Sequence, residues 1–221
     1  MALPFYLAMT LEEMEEADTL PPCAAWMAWQ GALPTALPPN AMLILTDRLP
    51  CRDPDRLAAE IKALNCGSIL LDFEHAPEPE TMGIASALSK ALSCPVAAPP
   101  GFSVDPDCPV FLPPCPLHVP LADYLRPWQG RDIWLDVTAQ QQIITVTQSG
   151  TRYGPTAPAD RQDGGWPDEV LQCRCISEMS EDAVRFILFD TPDTLKAKLN
   201  RAETLGISRA VGLYQELGGK L

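Results

Sequence analysis

Apolar and polar positions follow two different spacings along the chain. Short apolar runs, such as MLILTD (42–47) and SILLDFE (68–74), have the length of buried strands. The first of them is followed by DPDRLAAEIKALN, in which Leu57, Ile61 and Leu64 recur at helical spacing and share one face. Strands that alternate with amphipathic helices are typical of a parallel sheet with helical crossovers.

Capping residues mark the starts of two of these predicted helices. Asp53 stands before Pro54, and Asp190 or Thr191 stands before Pro192. A short polar side chain can accept hydrogen bonds from the free amides of the first turn, and proline fits the first helical position. We therefore expect helices to begin at both prolines.

The number of predicted strands indicates a (β/α)₈ barrel of the TIM type, small and irregular. A chain of 221 residues, 47% of them hydrophobic, is long enough for one sizeable core, and such barrels start at about 200 residues. We expect a single domain over residues 1–221. Its eight strands are predicted at roughly 4–9, 24–29, 42–47, 68–74, 95–99, 109–113, 133–137 and 210–215.

Two departures from a regular barrel are predicted. Residues 142–154 alternate as a β-ribbon does, with its turn at Ser149-Gly150; 156–167 look like a polar loop, and the whole stretch 142–188 forms an insertion before the last helix. The chain stops shortly after the last strand, so we expect no eighth helix. An apolar face left uncovered there favours self-association, and a homo-oligomer is expected.

The net charge, the first residues and the length of the apolar runs limit the possible partners and location of the protein. The net charge of −13 and a pI near 4.5 disfavour nucleic acid and anionic membranes. The first residues lack a basic region, and no apolar run approaches the ~20 residues of a membrane helix. The expected protein is soluble and cytoplasmic.

The eight cysteines do not form a recognisable metal motif. Cys173 and Cys175 would share a strand face, and Cys108, Cys115 and His118 lie close in sequence, but neither set has the paired spacing of a zinc site. Without a secretion signal, a disulfide framework also has little support. We expect free thiols and neither a metal nor a cofactor.

The candidate chemistry lies where the apolar run SILLDFEHAPEP ends in carboxylates. Side chains two apart in a strand share a face, so Leu70, Asp72 and Glu74 point the same way. If Leu70 faces the barrel interior, both carboxylates emerge at the C-terminal rim, where barrel enzymes keep their catalytic groups. The alternative is that Asp72 forms a structural ion pair and Glu74 begins a solvated loop.

Two stretches resemble glycoside hydrolase family 18, the chitinase-like barrels. LLDFE resembles the end of that family's DxxDxDxE motif, and FDTPDTLKAKLNRAETLGISRAVGLYQELGG (189–219) is similar to its closing helix and eighth strand. The predicted insertion also lies where the family often carries one. The resemblance departs at the first two aspartates of the motif, which fall on Gly67 and Leu70.

The resemblance implies a role for each carboxylate. Glu74 would be the general acid and Asp72 would orient an N-acetyl group whose oxygen attacks the anomeric carbon, a substrate-assisted route that needs no enzyme nucleophile. Burial and the charge of Asp72 would raise the pKa of Glu74. With the final EL aligned, the family's substrate-floor tryptophan falls on Gln215, beside Tyr214.

Other residues near the predicted strand ends are candidates for substrate binding, although ion pairs, caps or core packing would explain each of them. Trp26 and Trp29 are three apart and cannot share a strand face, so at most one lines the interior. The candidates are Trp29, Asp47, Asp136, Tyr214, Gln215 and Glu216.

Three functions are therefore open. The first is a glycosidase that acts on β-linked N-acetylated glycans by substrate-assisted acid catalysis. The second is a catalytically inactive chitinase-like barrel that binds a glycan or a protein at its rim. The third is a barrel enzyme that binds a phosphate ligand at Gly218-Gly219, although no helix is predicted there to supply a dipole.

Overall fold

The computed structural model of the protein describes residues 3–16, 23–28, 31–49, 52–102, 105–161 and 163–217. Within these residues the chain forms thirteen strands in two sheets. The strands are β1 (Phe5–Met9), β2 (Ala24–Ala28), β3 (Met42–Thr46), β4 (Ser68–Asp72), β5 (Val96–Ala97), β6 (Val110–Leu112), β7 (Ile133–Asp136), β8 (Gln140–Thr147), β9 (Gly150–Pro158), β10 (Trp166–Asp168), β11 (Cys173–Met179), β12 (Ala183–Phe189) and β13 (Arg209–Leu213).

Eight of the described strands form a parallel barrel. Their order is β5-β4-β3-β2-β1-β13-β7-β6. The two end strands meet because the Ala98 amide donates to the Pro109 carbonyl at 3.3 Å and the Phe111 amide donates to the Ala98 carbonyl at 2.9 Å. The predicted TIM-type barrel is confirmed, and each of the eight predicted strands is found.

The helices of the described residues begin where the capping residues predict. Asp53 accepts hydrogen bonds from the amides of Asp55 and Arg56, and Thr191, rather than Asp190, accepts from the amide of Thr194. The helices are α1 (Leu11–Glu16), α2 (Pro54–Leu64), α3 (Pro79–Ala91), α4 (Leu121–Leu125), α5 (Pro192–Thr204) and α6 (Tyr214–Leu217).

Two connections lack the helix of a regular barrel. The described residues between β2 and β3 (31–41) and between β5 and β6 (98–102 and 105–109) contain no α-helix. Both are rich in proline, which removes a backbone donor and clashes with the preceding turn of a helix. The barrel is therefore irregular where the prolines concentrate.

Alternation along the strands separates the barrel interior from the outer layers. Met42, Ile44, Leu70, Phe111 and Trp134 pack together in the interior, each at most 7% exposed. Side chains of the opposite parity pack outward, against α2 and α3 on one side and against α4 and α5 on the other. Leu70 thus faces the interior, which is the condition for Asp72 and Glu74 to emerge at the rim.

The insertion between β7 and α5 is a five-stranded antiparallel sheet, larger than the predicted ribbon. Its order is β10-β11-β12-β8-β9, and the β8–β9 hairpin turns at the predicted position. The polar loop predicted over 156–167 is wrong at both edges, because β9 runs to Pro158 and β10 starts at Trp166. Pairing with β8 and β11 recruits these polar residues into strands.

Asp190 joins the inserted sheet to α5. Its carboxylate is fully buried and lies 2.6 Å from the ammonium of Lys198. The same side chain accepts a hydrogen bond from the amide of Gln140 at the start of β8. One buried carboxylate therefore holds the sheet and the helix together.

The last barrel strand is shorter than expected. The sequence predicts that Gln215 and Glu216 end a strand, but β13 stops at Leu213 and the next residues form the helical turn α6. Leu217 is fully buried in the outer cluster that includes Ala210. This packing bends the chain out of the strand. Gly218-Gly219 lies outside the described residues.

The described cysteines are free thiols, as expected. Among the residues that the structure describes, no group of three or more His, Cys, Asp or Glu side chains is arranged to hold a metal ion. None of the helices in the described ranges is long and apolar enough to cross a membrane.

Candidate functional site

An open cleft of about 1160 Å³ lies at the C-terminal rim of the barrel, over β1 to β4. It is bordered by the start of α1, by the proline-rich segment after β2, by the ends of β3 and β4, and by the turn after β13. Its lining includes Thr10, Glu12, Glu13, Trp26, Met27, Leu33, Thr46, Asp47, Arg48, Asp72, Glu74, His75, Leu213 and Gln215. The two predicted catalytic carboxylates therefore line one cleft.

Asp72 is the more buried of these two carboxylates. It ends β4 with its side chain on the interior parity of Leu70. Burial, with contributions from the charges of Glu74 and Asp47, raises the pKa of Asp72 to about 6. The carboxyl can therefore hold or release a proton near neutral pH.

Glu74 lies past the end of β4 with its side chain exposed. The expected partial burial of Glu74 is wrong in this structure, because the strand has already ended and the chain turns outward before α3. Its backbone is nevertheless fixed, since the Glu74 amide donates to Asp47 Oδ2 at 2.8 Å. The backbone that carries the Glu74 side chain is therefore held at the rim.

Asp47 fixes the loop that carries Glu74. The same Oδ2 accepts from the His75 amide at 3.2 Å and lies 2.7 Å from His75 Nδ1. Burial alone would raise the pKa of Asp47, but the hydrogen bonds from His75 and from the two amides outweigh it and lower the pKa. The bond to Asp47 raises the pKa of His75 in turn.

Asp136 stands on β7 with the same interior parity as Trp134. Burial is the main cause that raises its pKa to about 7, and the charges of Asp72 and Glu216 add to the effect. Asp136 lines a separate and much smaller cavity of about 30 Å³, together with Cys115, Gln140 and Lys198. Such a volume holds about one or two water molecules, so a glycan would not enter it.

The remaining candidates on α6 point in different directions. Gln215 lines the cleft. Glu216 accepts a hydrogen bond from the hydroxyl of Thr138, which lies just past β7. Tyr214 packs against Met9 on the outside of the barrel. Trp29 lies outside the described residues.

Trp26 supplies an aromatic side chain to the cleft, although it is not among the binding residues predicted from the sequence. It is partly buried in β2 and lines the cleft, and its parity is opposite to that of the interior residue Met27. It is reachable because the described residues between β2 and β3 form no helix that would cover it. The sequence signal for this position is the run of prolines after β2.

Thr46 was not a sequence candidate and also lines the cleft. Its hydroxyl is buried and has no hydrogen-bond partner among the described residues. Buried polar atoms are nearly always hydrogen-bonded in proteins, so we expect this hydroxyl to bond to a water or a ligand.

The positions of the family's first two motif aspartates are closed to polar groups. Leu70 is 1% exposed in the apolar interior. At Gly67, an added Cβ would come within 2.8 Å of the Asn40 Cα, a contact that real Cβ atoms do not make. Leu70 therefore lies in an apolar interior, and Gly67 has no room for a side chain.

Comparison with solved structures agrees with this architecture. The Bacillus megaterium spore cortex-lytic enzyme SleL matches 96% of this chain with 70% of its own, at 12% identity and a TM-score of 0.54. Human YKL-39, described as a pseudo-chitinase with retained chitooligosaccharide binding properties, matches 96% of this chain with 92% of its own, at 9% identity and a TM-score of 0.51.

A glycoside hydrolase family 18 N-acetylglucosaminidase from Paenibacillus barengoltzii matches 95% of this chain with 94% of its own, at 6% identity and a TM-score of 0.50. No protein-family model and no curated protein matches the sequence. These likenesses show the fold alone: the chain forms the same type of barrel as these chitinase-like structures. Function has to be argued from the site.

Proposed function

We propose that the rim cleft binds a β-linked N-acetylated glycan and that Glu74 and Asp72 hydrolyse it by substrate-assisted acid catalysis. The observation that carries this proposal is the placement of both carboxylates in one open cleft, with Asp72 as the last residue of β4 and Glu74 two residues beyond it. The cleft volume is above the ~300–1,000 Å³ of ordinary ligand sites, which leaves room for more than one sugar.

The carboxylates divide the chemistry between them. Glu74 would protonate the glycosidic oxygen while the acetamido oxygen of the substrate attacks the anomeric carbon and the glycosidic bond breaks. Asp72 would orient the acetamido N–H and stabilise the positive charge of the cyclic intermediate. Glu74, now ionised, would then take a proton from the water that opens this intermediate.

Two further features of the cleft fit a sugar ligand. The unpartnered Thr46 hydroxyl offers a hydrogen bond to a polyhydroxylated molecule. Trp26 offers an aromatic surface of the kind on which apolar sugar faces stack. Asp47, through its bonds to the loop of Glu74, would keep the acid in position.

The test is hydrolysis of fluorogenic N-acetylglucosaminide oligomers between pH 4 and 8 by the wild type, Glu74→Gln and Asp72→Asn. We expect each substitution to lower kcat by about 10²-fold or more, because each removes a group that acts only in the transition state. Glu60→Gln is the matched control, since Glu60 lies on α2 and pairs with Arg56 outside the cleft. Equal rates for Glu74→Gln and wild type would overturn the catalytic assignment.

A second candidate function is glycan binding without catalysis. It is favoured by the exposed Glu74 and by the apolar replacement of the inner aspartates at Leu70 and Gly67. Human YKL-39 shows that this fold can retain chitooligosaccharide binding as a pseudo-chitinase. Calorimetric titration with chitooligosaccharides separates the two: binding without turnover, weakened by Trp26→Ala, would identify a binding barrel. If neither turnover nor binding is observed, both candidate functions are wrong.

A further inference from the structure

Two cysteines meet at the N-terminal end of the barrel, opposite to the cleft. Cys66 lies between α2 and β4, and Cys94 lies between α3 and β5. The two strands are neighbours, with Ile69 paired to Val96. The same parallel register places Cys94 opposite residue 67, one position from Cys66.

The backbone spacing suits a disulfide. Strands about 4.8 Å apart with a rise of about 3.3 Å per residue place such diagonal neighbours at a Cα separation of about 5.8 Å. Disulfides span Cα separations of about 4.4–6.8 Å. The expected separation falls within this range.

The thiols already interact in the reduced protein. Both side chains pack against the same apolar cluster, and their mutual interaction raises the pKa of Cys66 and lowers the pKa of Cys94. The positive charge of Arg209 contributes to the lower pKa of Cys94, against the effect of burial. Both cysteines are only partly buried, so small oxidants can reach them.

We propose that Cys66 and Cys94 are a redox-active pair that forms a reversible disulfide with a peroxide as oxidant. The Cys94 thiolate attacks one peroxide oxygen, and the O–O bond breaks to give a sulfenic acid and hydroxide. The Cys66 thiol then attacks the sulfenic sulfur, its proton passes to the leaving hydroxyl group, the S–S bond forms and water leaves. In total, two thiols and one hydrogen peroxide give one disulfide and two waters, because the two thiol protons end on the peroxide oxygens.

Other described cysteines lack this combination. Burial raises the pKa of Cys115 to about 11 and that of Cys173 to about 12, which disfavours their thiolates. Cys173 and Cys175 lie two residues apart on β11. Their buried position in the cluster with Leu117 also removes them from solvent.

Peptide mapping tests the pair directly. The intact protein is treated with equimolar hydrogen peroxide, quenched with N-ethylmaleimide at acidic pH, and digested with trypsin and an aspartate-specific protease. Cleavage around both cysteines yields peptides 63–71 and 91–104, each with a single cysteine. We expect these two peptides to be recovered linked, and to separate after dithiothreitol.

Variants show whether the link depends on this pair. Cys66→Ser and Cys94→Ser should abolish it, whereas Cys23→Ser, which changes a partly buried cysteine before β2, should leave it intact. The oxidised wild type should melt about 5 °C or more above the reduced form, because the link closes a long loop. Recovery of both peptides unlinked, or of Cys66 linked to another cysteine, would overturn the proposal.

Discussion

Asp72 on β4 and Asp136 on β7 are the same kind of group at the same end of the barrel, yet their surroundings differ. Each lies two residues after an interior apolar residue, Leu70 or Trp134, and both have a raised pKa, mainly through burial. Asp72 opens onto a cleft of about 1160 Å³, whereas Asp136 faces a cavity of about 30 Å³ beside α5.

The difference arises from the segment that comes after each strand. After β4 the chain goes directly into a loop and α3, so the rim stays open. After β7 the chain forms the five-stranded sheet. Gln140, the first residue of β8, lines the small cavity together with Asp136. The position of a carboxylate on a barrel strand thus does not decide whether a substrate can reach it.

The largest effect is expected at Asp190, which anchors the inserted sheet to α5. Asp190→Ala should lower the free energy of unfolding by about 3 kcal/mol, because it leaves the ammonium of Lys198 without its partner in a largely buried site. Urea unfolding monitored by circular dichroism measures the change. Asp193→Ala, an exposed residue in the first turn of α5, is the control and should cost only about 0.5 kcal/mol. Equal losses for both would show that Asp190 does not anchor the sheet.

Asp136→Asn should increase stability at high pH. The pKa of Asp136 is about 7 in the folded protein against an ordinary value of 3.8, so the native state binds more protons between these values and its stability falls as pH rises through them. The amide removes that fall, and we expect a gain on the order of 2 kcal/mol at pH 8 that vanishes near pH 4. Unfolding curves at both pH values, beside those of the exposed-loop variant Asp107→Asn, measure it. An unchanged pH dependence would contradict the buried-carboxyl assignment.

The smallest effect concerns the open side. Asp47→Asn should return the pKa of His75 towards 6.5, because it removes the charge that raises it. The chain has two histidines, so both ring signals can be resolved in an NMR titration, with His118 as the internal reference. The raised pKa means that the stabilising contribution of protonated His75 is present below pH 6.5 and is lost as pH rises through the folded-state pKa. An unchanged pKa of His75 in Asp47→Asn would show that Asp47 does not hold the loop of Glu74 through His75.

Much of the barrel could be predicted from local pattern. Alternation and helical spacing located the eight barrel strands and the helices that start at Pro54 and Pro192. These elements depend on the placement of apolar side chains and on capping groups a few residues apart, which a single sequence displays. The predicted eighth strand is too long, because Tyr214 and Leu217 continue an apolar pattern that a helical turn satisfies equally well.

The candidate site was predictable only in part. The strand period predicts that Asp72 and Glu74 point the same way, and both residues line the cleft. The exposure of Glu74, the small cavity at Asp136 and the packing of Tyr214 depend on loops and on an inserted sheet that approach from elsewhere in the chain. Trp29 remains a prediction, because it lies outside the described residues.

The sequence by itself determined the order of the elements, the parity of the strand side chains and the absence of polar groups at Leu70 and Gly67. Those properties are local, since backbone period, capping and side-chain chemistry act over a few residues. The tertiary structure alone decided which carboxylate faces the large cleft, which faces the small cavity and which two cysteines meet. Such proximities join residues far apart in the chain, and only the closure of the barrel brings them together.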